Sequence, residues 1–221
     1  MSEAFEVKDC ALIAISTGEY AQTLREMRDK VQSAPSSAIY YHFWGGLLRP
    51  TFDDPEFQND FAIWASHSLH DKTLAERLAL IDPSDFVDLE DLRREVVETI
   101  EIRLDESERL SLITADHRFY FVRSQIIVID TQRTVKTPKE LARIVPGLSA
   151  GSIFYHYIDA RRRPPYNKDD FSTWISSFGP DFQELVEHIS EVDPYFTNLV
   201  ELREELTGVF AKFFRPKRGK L

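Results

Sequence analysis

Residues 5–50 of this chain recur, in diverged form, at residues 119–164 without a gap. Phe5 falls on Phe119, Ile13 on Ile127, Ile15 on Ile129 and Thr17 on Thr131. Thr23 and Glu26 fall on Thr137 and Glu140; Ile39, Tyr41 and His42 on Ile153, Tyr155 and His156; Arg49-Pro50 on Arg163-Pro164. Past the prolines the second copy is four residues shorter and the match resumes. Asp60-Phe61 falls on Asp170-Phe171, Trp64 on Trp174, Phe86 on Phe196, and Leu92-Arg93 on Leu202-Arg203. Matches in one order with nearly constant spacing indicate one structural unit written twice, with boundaries at 1–110 and 111–221. Such a repeat limits the fold more than any single motif does.

Each copy opens on a short apolar run, Cys10–Ile15 and Ile126–Ile129, which reads as a buried strand. A capping box then starts a helix in both, Thr23-x-x-Glu26 and Thr137-x-x-Glu140, with Pro138 at N1. A second helix carries the Tyr-His segment and a third the Asp-Phe-x-x-Trp segment. A fourth runs to Asp-Pro, and a fifth bears Leu89, Leu92, Val96 and Ile100, or Leu199, Leu202, Leu206, Val209 and Phe213. Those spacings of three and four draw one apolar stripe. The expected class is α+β and mostly helical: a strand plus about five helices, duplicated about a pseudo-twofold axis. A lone strand needs a partner, so the two strands are expected to pair with each other in one intimate domain.

Four polar or aromatic residues recur with chemistry attached: His42/His156, Arg49/Arg163, Asp60/Asp170 and Trp64/Trp174. His and Arg lie seven apart, two turns on one face if the helix continues; Asp and Trp lie four apart. Two readings stay open. In one, Arg supplies a fork, His a switchable donor or base and Trp a stacking wall for a small anionic ligand, phosphorylated or carboxylate. In the other, the polar residues form a buried clamp that fixes a helix crossing. A metal site would need both copies to converge, and none is assigned. His67 and His70 read as a solvated pair and Cys10 as a core thiol. No nucleophile elbow, phosphate loop or dinucleotide fingerprint is present, and no cofactor is expected.

The acidic first half, with 11 Lys and Arg against 23 Asp and Glu, argues against general nucleic-acid binding. Basic residues cluster only at Arg161-Arg162-Arg163 and in the tail from Arg215 to Lys220. No apolar run is long enough to span a bilayer, the N-terminus lacks a signal-peptide pattern and one cysteine excludes an internal disulfide, so a cytoplasmic location is expected. Sixteen Phe, eight Tyr and three Trp can fill a core or serve an interface.

Ala38-Ile39-Tyr40-Tyr41-His42, Asn59-Asp60-Phe61-Ala62-Ile63-Trp64, Leu74-Ala75-Glu76-Arg77-Leu78 and Asp82-Pro83 together resemble segments of an uncharacterised prokaryotic family, a domain of unknown function. The resemblance covers nearly the whole chain and implies no activity. The second copy departs from it at Leu185-Val186-Glu187-His188-Ile189. The expected role is a binding or regulatory module for a protein partner; the alternative is an enzyme or sensor with an anion pocket. The oligomeric state stays open.

Overall fold

A computed structural model describes residues 3–49, 56–106, 108–165, 167–195 and 198–215. Pro50, Asp53, Asp54, Phe196 and the basic tail after Arg215 lie outside the described residues. The chain is α+β and about 60% helical. Its two strands, β1 (Phe5–Thr23) and β2 (Thr114–Val135), pair antiparallel in a two-stranded ribbon. No helix among the described residues is long and apolar enough to cross a membrane.

Two compact units divide the chain. One is residues 12–126; the other, here the composite unit, joins 1–11 to 127–221. Each unit therefore holds one end of both strands. The composite unit buries Phe5, Val7, Cys10 and Val135 of the ribbon, and the 12–126 unit buries Ala21, Ala115, Phe119 and Phe121. Past Cys10, the apolar runs expected to be buried are not. Ile13 is 43% exposed, and Ile127, Val128 and Ile129 are 42–47% exposed. β-Branched residues suit the pleated backbone whether or not a layer covers them, so the run reports strand propensity and not depth. Each strand also turns through one left-handed residue, Gly18 at φ +80 and Gln132 at φ +58. The threonine just before each bonds across the ribbon, Thr17 Oγ1 to the Phe121 carbonyl and Thr131 Oγ1 to the Val7 carbonyl.

In the 12–126 unit, α1 (Leu24–Ser33) starts on a complete Thr23–Glu26 capping box. α2 (Ser36–Trp44) tightens into a 3-10 turn at Gly45–Leu48, so it does not run on to Arg49 as a straight helix. α3 (Asp60–His67) and α4 (Lys72–Ala79) are capped by Asn59 and Asp71. α5 (Leu89–Glu106) presents Leu92, Val96 and Ile100 to a core with Leu24, Met27, Phe43 and Phe61. Arg93 is buried on α5 and its Nη1 donates to the carbonyls of Val31 and Ala34, both at 2.6 Å. A cation at the end of α1 thus satisfies carbonyls that the helix leaves unpaired.

In the composite unit, α6 (Pro138–Ile144) starts at Thr137, whose hydroxyl accepts from Glu140 N. Glu140 reaches back to the Lys136 amide, one residue before the cap. α7 (Ala150–Ile153) opens into a π-helical turn at Phe154–Ile158 and a 3-10 turn at Asp159–Arg162. α8 (Asp170–Ser176), α9 (Gln183–Ser190) and α10 (Leu199–Phe214) complete the unit. Its core gathers Ile153, Phe154, Phe171, Leu185, Ile189, Leu202, Leu206 and Phe210. At Gly151 the helix touches β1: a Cβ there would stand 2.2 Å from Asp9 Oδ1 and 2.4 Å from the Cys10 carbonyl.

Three outcomes follow from this construction. Gly151→Ala loses about 1–3 kcal/mol of stability in chemical denaturation because backbone must shift to admit the methyl. Gly208→Ala, on α10 with nothing within 4 Å of its Cβ position, gains about 1 kcal/mol. Cutting the chain near residue 111 leaves 1–110 without Phe119 and Phe121, and 111–221 without Phe5 and Val7. Neither fragment alone shows a cooperative thermal transition by circular dichroism, and mixing them restores one. Two independently stable fragments would contradict the strand sharing.

Candidate functional site

His42 lies buried on α2, facing Asp60 at the start of α3. Its Nδ1 is 2.8 Å from Asp60 Oδ2, and its Nε2 accepts the Val122 amide of β2 at 3.1 Å. An acceptor at Nε2 fixes the neutral ring with its hydrogen on Nδ1, donating to the carboxylate. Arg49 Nη2 donates to both Asp60 oxygens at 2.9 and 3.1 Å. Trp64 Nε1 donates to the His117 carbonyl at 2.8 Å. Phe119 stacks on Phe61 with centroids 5.2 Å apart and packs against His42 at 4.6 Å.

The composite unit contains its own set. His156 Nδ1 is 2.7 Å from Asp170 Oδ2, and its Nε2 accepts the Lys8 amide of β1 at 2.8 Å. Arg163 Nη2 donates to Asp170 Oδ2 at 2.8 Å and to the Tyr155 carbonyl at 2.9 Å. Its Nη1 reaches the Tyr155 hydroxyl, its Nε lies 3.3 Å from Asp159 Oδ2, and its guanidinium sits over the Tyr155 ring. Trp174 Nε1 donates to the Glu3 carbonyl at 2.7 Å. Phe5 packs among His156, Phe171 and Trp174.

All eight residues singled out by the sequence thus stand in two groups of four, one group inside each unit. Within the arginine run, Arg161 lies 4.4 Å above the Tyr157 ring and Arg163 closes on Asp170. His67 and His70 do not converge, since His70 meets Asp116 and His67 approaches Glu56. Among the described residues no group of three His, Cys, Asp or Glu side chains could hold a metal ion. Cys10 is buried and donates to the Gly151 carbonyl; burial, with Asp159 and Asp9 adding to it, pushes its thiol up to about 12. A thiol so hard to ionise is no nucleophile at neutral pH.

Two openings adjoin these elements. A shallow hollow of about 280 Å³ in the 12–126 unit is lined by Tyr41, Arg49, Asp60, Trp64 and Arg118. A groove of about 820 Å³ in the composite unit runs along α9 and α10. The sequence reading missed the groove, although Glu184 and Glu191, seven apart, mark one acidic helical face that could have pointed to it.

Burial lowers the His42 pKa below its ordinary 6.5 against the pull of Asp60. For Asp60 burial acts upward, but the His42 hydrogen bond, with the charge and hydrogen bonds of Arg49, outweighs it and holds the carboxyl below its ordinary value. Both shifts act in one direction on stability. As pH falls below 6.5 the unfolded histidine takes up a proton that the folded ring refuses, and at lower pH the unfolded Asp60 does the same. Stability in urea therefore falls from pH 7.5 to pH 5.5, and the fall is shallower in His42→Asn. An equal slope in that variant would remove His42 as its source.

No curated protein matches the chain. The structure titled "The structure of OrfY from Thermoproteus tenax" is similar at a TM-score of 0.82 and 24% identity, covering 96% of each chain, and that likeness is one of fold. The family described as "Family of unknown function (DUF5752)" matches residues 2–211. The chain belongs to that family.

Proposed function

We propose that the chain is a binding or regulatory module for a protein partner, and that its two His–Asp–Arg sets are clamps and not reaction centres. One observation carries this: both nitrogens of each histidine are already engaged, one by a carboxylate and the other by a strand amide. A general base needs a free lone pair within reach of a substrate proton. Here that lone pair holds the ribbon instead.

The proposal includes descent by duplication, with 1–110 and 111–221 as the repeated segments. Bonds that agree at aligned positions support it. Cys10 Sγ bonds the Gly151 carbonyl as Ser124 Oγ bonds the Ser37 carbonyl. Gly18 and Gln132 are left-handed at one offset, each after a threonine that crosses the ribbon. Arg93 and Arg203 each donate to a carbonyl near the end of the first helical segment of their unit. Under this reading each folded unit takes one strand end from the other repeat, and a buried single thiol suits a cytoplasmic setting.

A second reading has its own observation. Arg49 is 46% exposed and, with Arg118, lines the 280 Å³ hollow beside Tyr41 and Trp64. Two guanidinium groups beside aromatic walls suit a small carboxylate or phosphate.

Two measurements test the proposal. His156→Ala loses about 3–5 kcal/mol, since it opens a cavity and strands the Lys8 amide. Arg163→Ala loses about 1–2 kcal/mol, less than a fully buried pair, because water reaches both partners. In thermal unfolding, a panel of nucleotides, sugar phosphates and organic acids leaves the midpoint within about 1 °C. A rise of about 5 °C or more, as expected near 100 times a dissociation constant, would favour the anion reading, the more so if Arg49→Ala abolished it.

A further inference from the structure

We infer that the groove along α9 and α10 of the composite unit receives a basic amphipathic helix of a protein partner; this rests on the binding-module reading and locates its surface. The groove has an apolar floor and an acidic rim. Val192, Val209 and Phe213 form the floor, and Gly208 leaves bare helix backbone with no atom within 4 Å of where a Cβ would stand. Bare backbone admits close approach by another chain.

Asp181, Glu184, Glu191, Asp193 and Glu205 surround that floor. Glu184, Glu191 and Glu205 are exposed and form no ion pair among the described residues, so their charge is available to a partner. A row of half-buried rings borders the same surface. Phe182 lies 5.9 Å from Phe213 and 6.4 Å from Phe214, and Phe178 continues the row at 6.1 Å from Phe182. Aromatic side chains in such positions are the anchors from which interfaces draw most of their energy.

The volume, about 820 Å³, has room for several side chains but the site is an open trough between helices. An amphipathic helix laid in it buries apolar residues at i, i+3/i+4 and i+7 while its Lys and Arg reach the carboxylates. An acidic or neutral helix would leave those carboxylates desolvated and unmatched. Lys212 and Arg215 stand at the C-terminal end of α10 and line the groove there. They suit the C-terminal end of the incoming helix, which carries partial negative charge.

The test uses the full chain and a fluorescein-labelled 16-residue peptide with Leu and Lys at helical spacing, read by fluorescence anisotropy at low salt. Binding is one-to-one. It weakens at least tenfold in the double variant E184K/E205K and at least tenfold in Gly208→Trp, which fills the trough. It changes less than twofold in E95K/E98K, which makes the same charge change on α5. Equal weakening by E95K/E98K would reduce the effect to net charge and overturn the proposal. Binding that ignores Gly208→Trp would remove this surface while leaving the module reading in place. Failure of peptide binding together with stabilisation by a small anion would instead overturn the module reading itself. Self-association in sedimentation that Gly208→Trp abolishes would make the occupant a second copy of the chain, and would equally overturn the basic-helix assignment.

Discussion

A histidine ring that accepts a strand amide on one nitrogen and donates to a helix-start aspartate on the other holds each unit together. A two-stranded ribbon has two outer edges, and each exposes amides that no further strand pairs. His42 closes one such amide at Val122 and His156 closes another at Lys8. The opposite nitrogen then fixes α3 or α8 through Asp60 or Asp170. The aspartate needs a cation, so Arg49 or Arg163 closes over it. Trp64 and Trp174 repeat the logic with a donor, Trp64 to the His117 carbonyl near the start of β2 and Trp174 to the Glu3 carbonyl just before β1. Helices that lack a broad sheet to lie on are thereby fastened to a narrow one.

Much of this was legible because it is local or recurs. Thr23 and Thr137 announce their helices through spacing alone and both accept the third amide, although only Thr23 closes the full box, since Glu140 bonds the Lys136 amide. His42, Asp60, Arg49 and Trp64 stood out by recurring at aligned positions; the first three meet, while Trp64 bonds the His117 carbonyl. What recurrence could not tell was their purpose, since a packing problem and a binding site leave the same imprint in a sequence. The atoms that support the clamp proposal belong to backbone, the amides of Val122 and Lys8, and a side-chain pattern says nothing about which amide lacks a partner. Strand depth was misread for a related reason. Ile127, Val128 and Ile129 are apolar enough for a core, but only the ends of a ribbon shared by two units are covered. The composition of the units escaped as well, because residues 1–11 are contiguous with one set of helices and pack with the other.

The groove illustrates a different limit. Its rim collects residues from α9, from the turn that follows it and from α10, with Glu191 and Glu205 fourteen positions apart. Net charge in this half of the chain is slightly positive, which hides a local acidic face behind basic residues placed elsewhere. Arg161 and Arg163 account for part of that masking, because they are turned onto tyrosine rings and carboxylates inside the unit. Charge that is neutralised internally does not reach a partner, so the surface that remains is more acidic than the sequence total.

Differences at aligned positions separate the two sets chemically. Gly45 lies under the Tyr41 ring, where a Cβ would meet the ring at 2.8 Å. The aligned residue, Asp159, carries a buried carboxylate that approaches Arg163. A side chain can occupy that position because the backbone has passed through the π-helical turn at Phe154–Ile158, which is absent from α2. Arg163 thus gains Asp159, the Tyr155 carbonyl and the Tyr155 hydroxyl, whereas Arg49 has Asp60 and a long bond to the Gly45 carbonyl. The more heavily bonded arginine is committed to structure. The less committed one, over the shallow hollow of the 12–126 unit, keeps donors that an anion could use. If the clamp arose once and was copied, as proposed, only the 12–126 copy retains the freedom to become a small-molecule site. In the same proposal the composite unit, with its arginine closed over Asp170, has the α9–α10 groove as its surface for recognition.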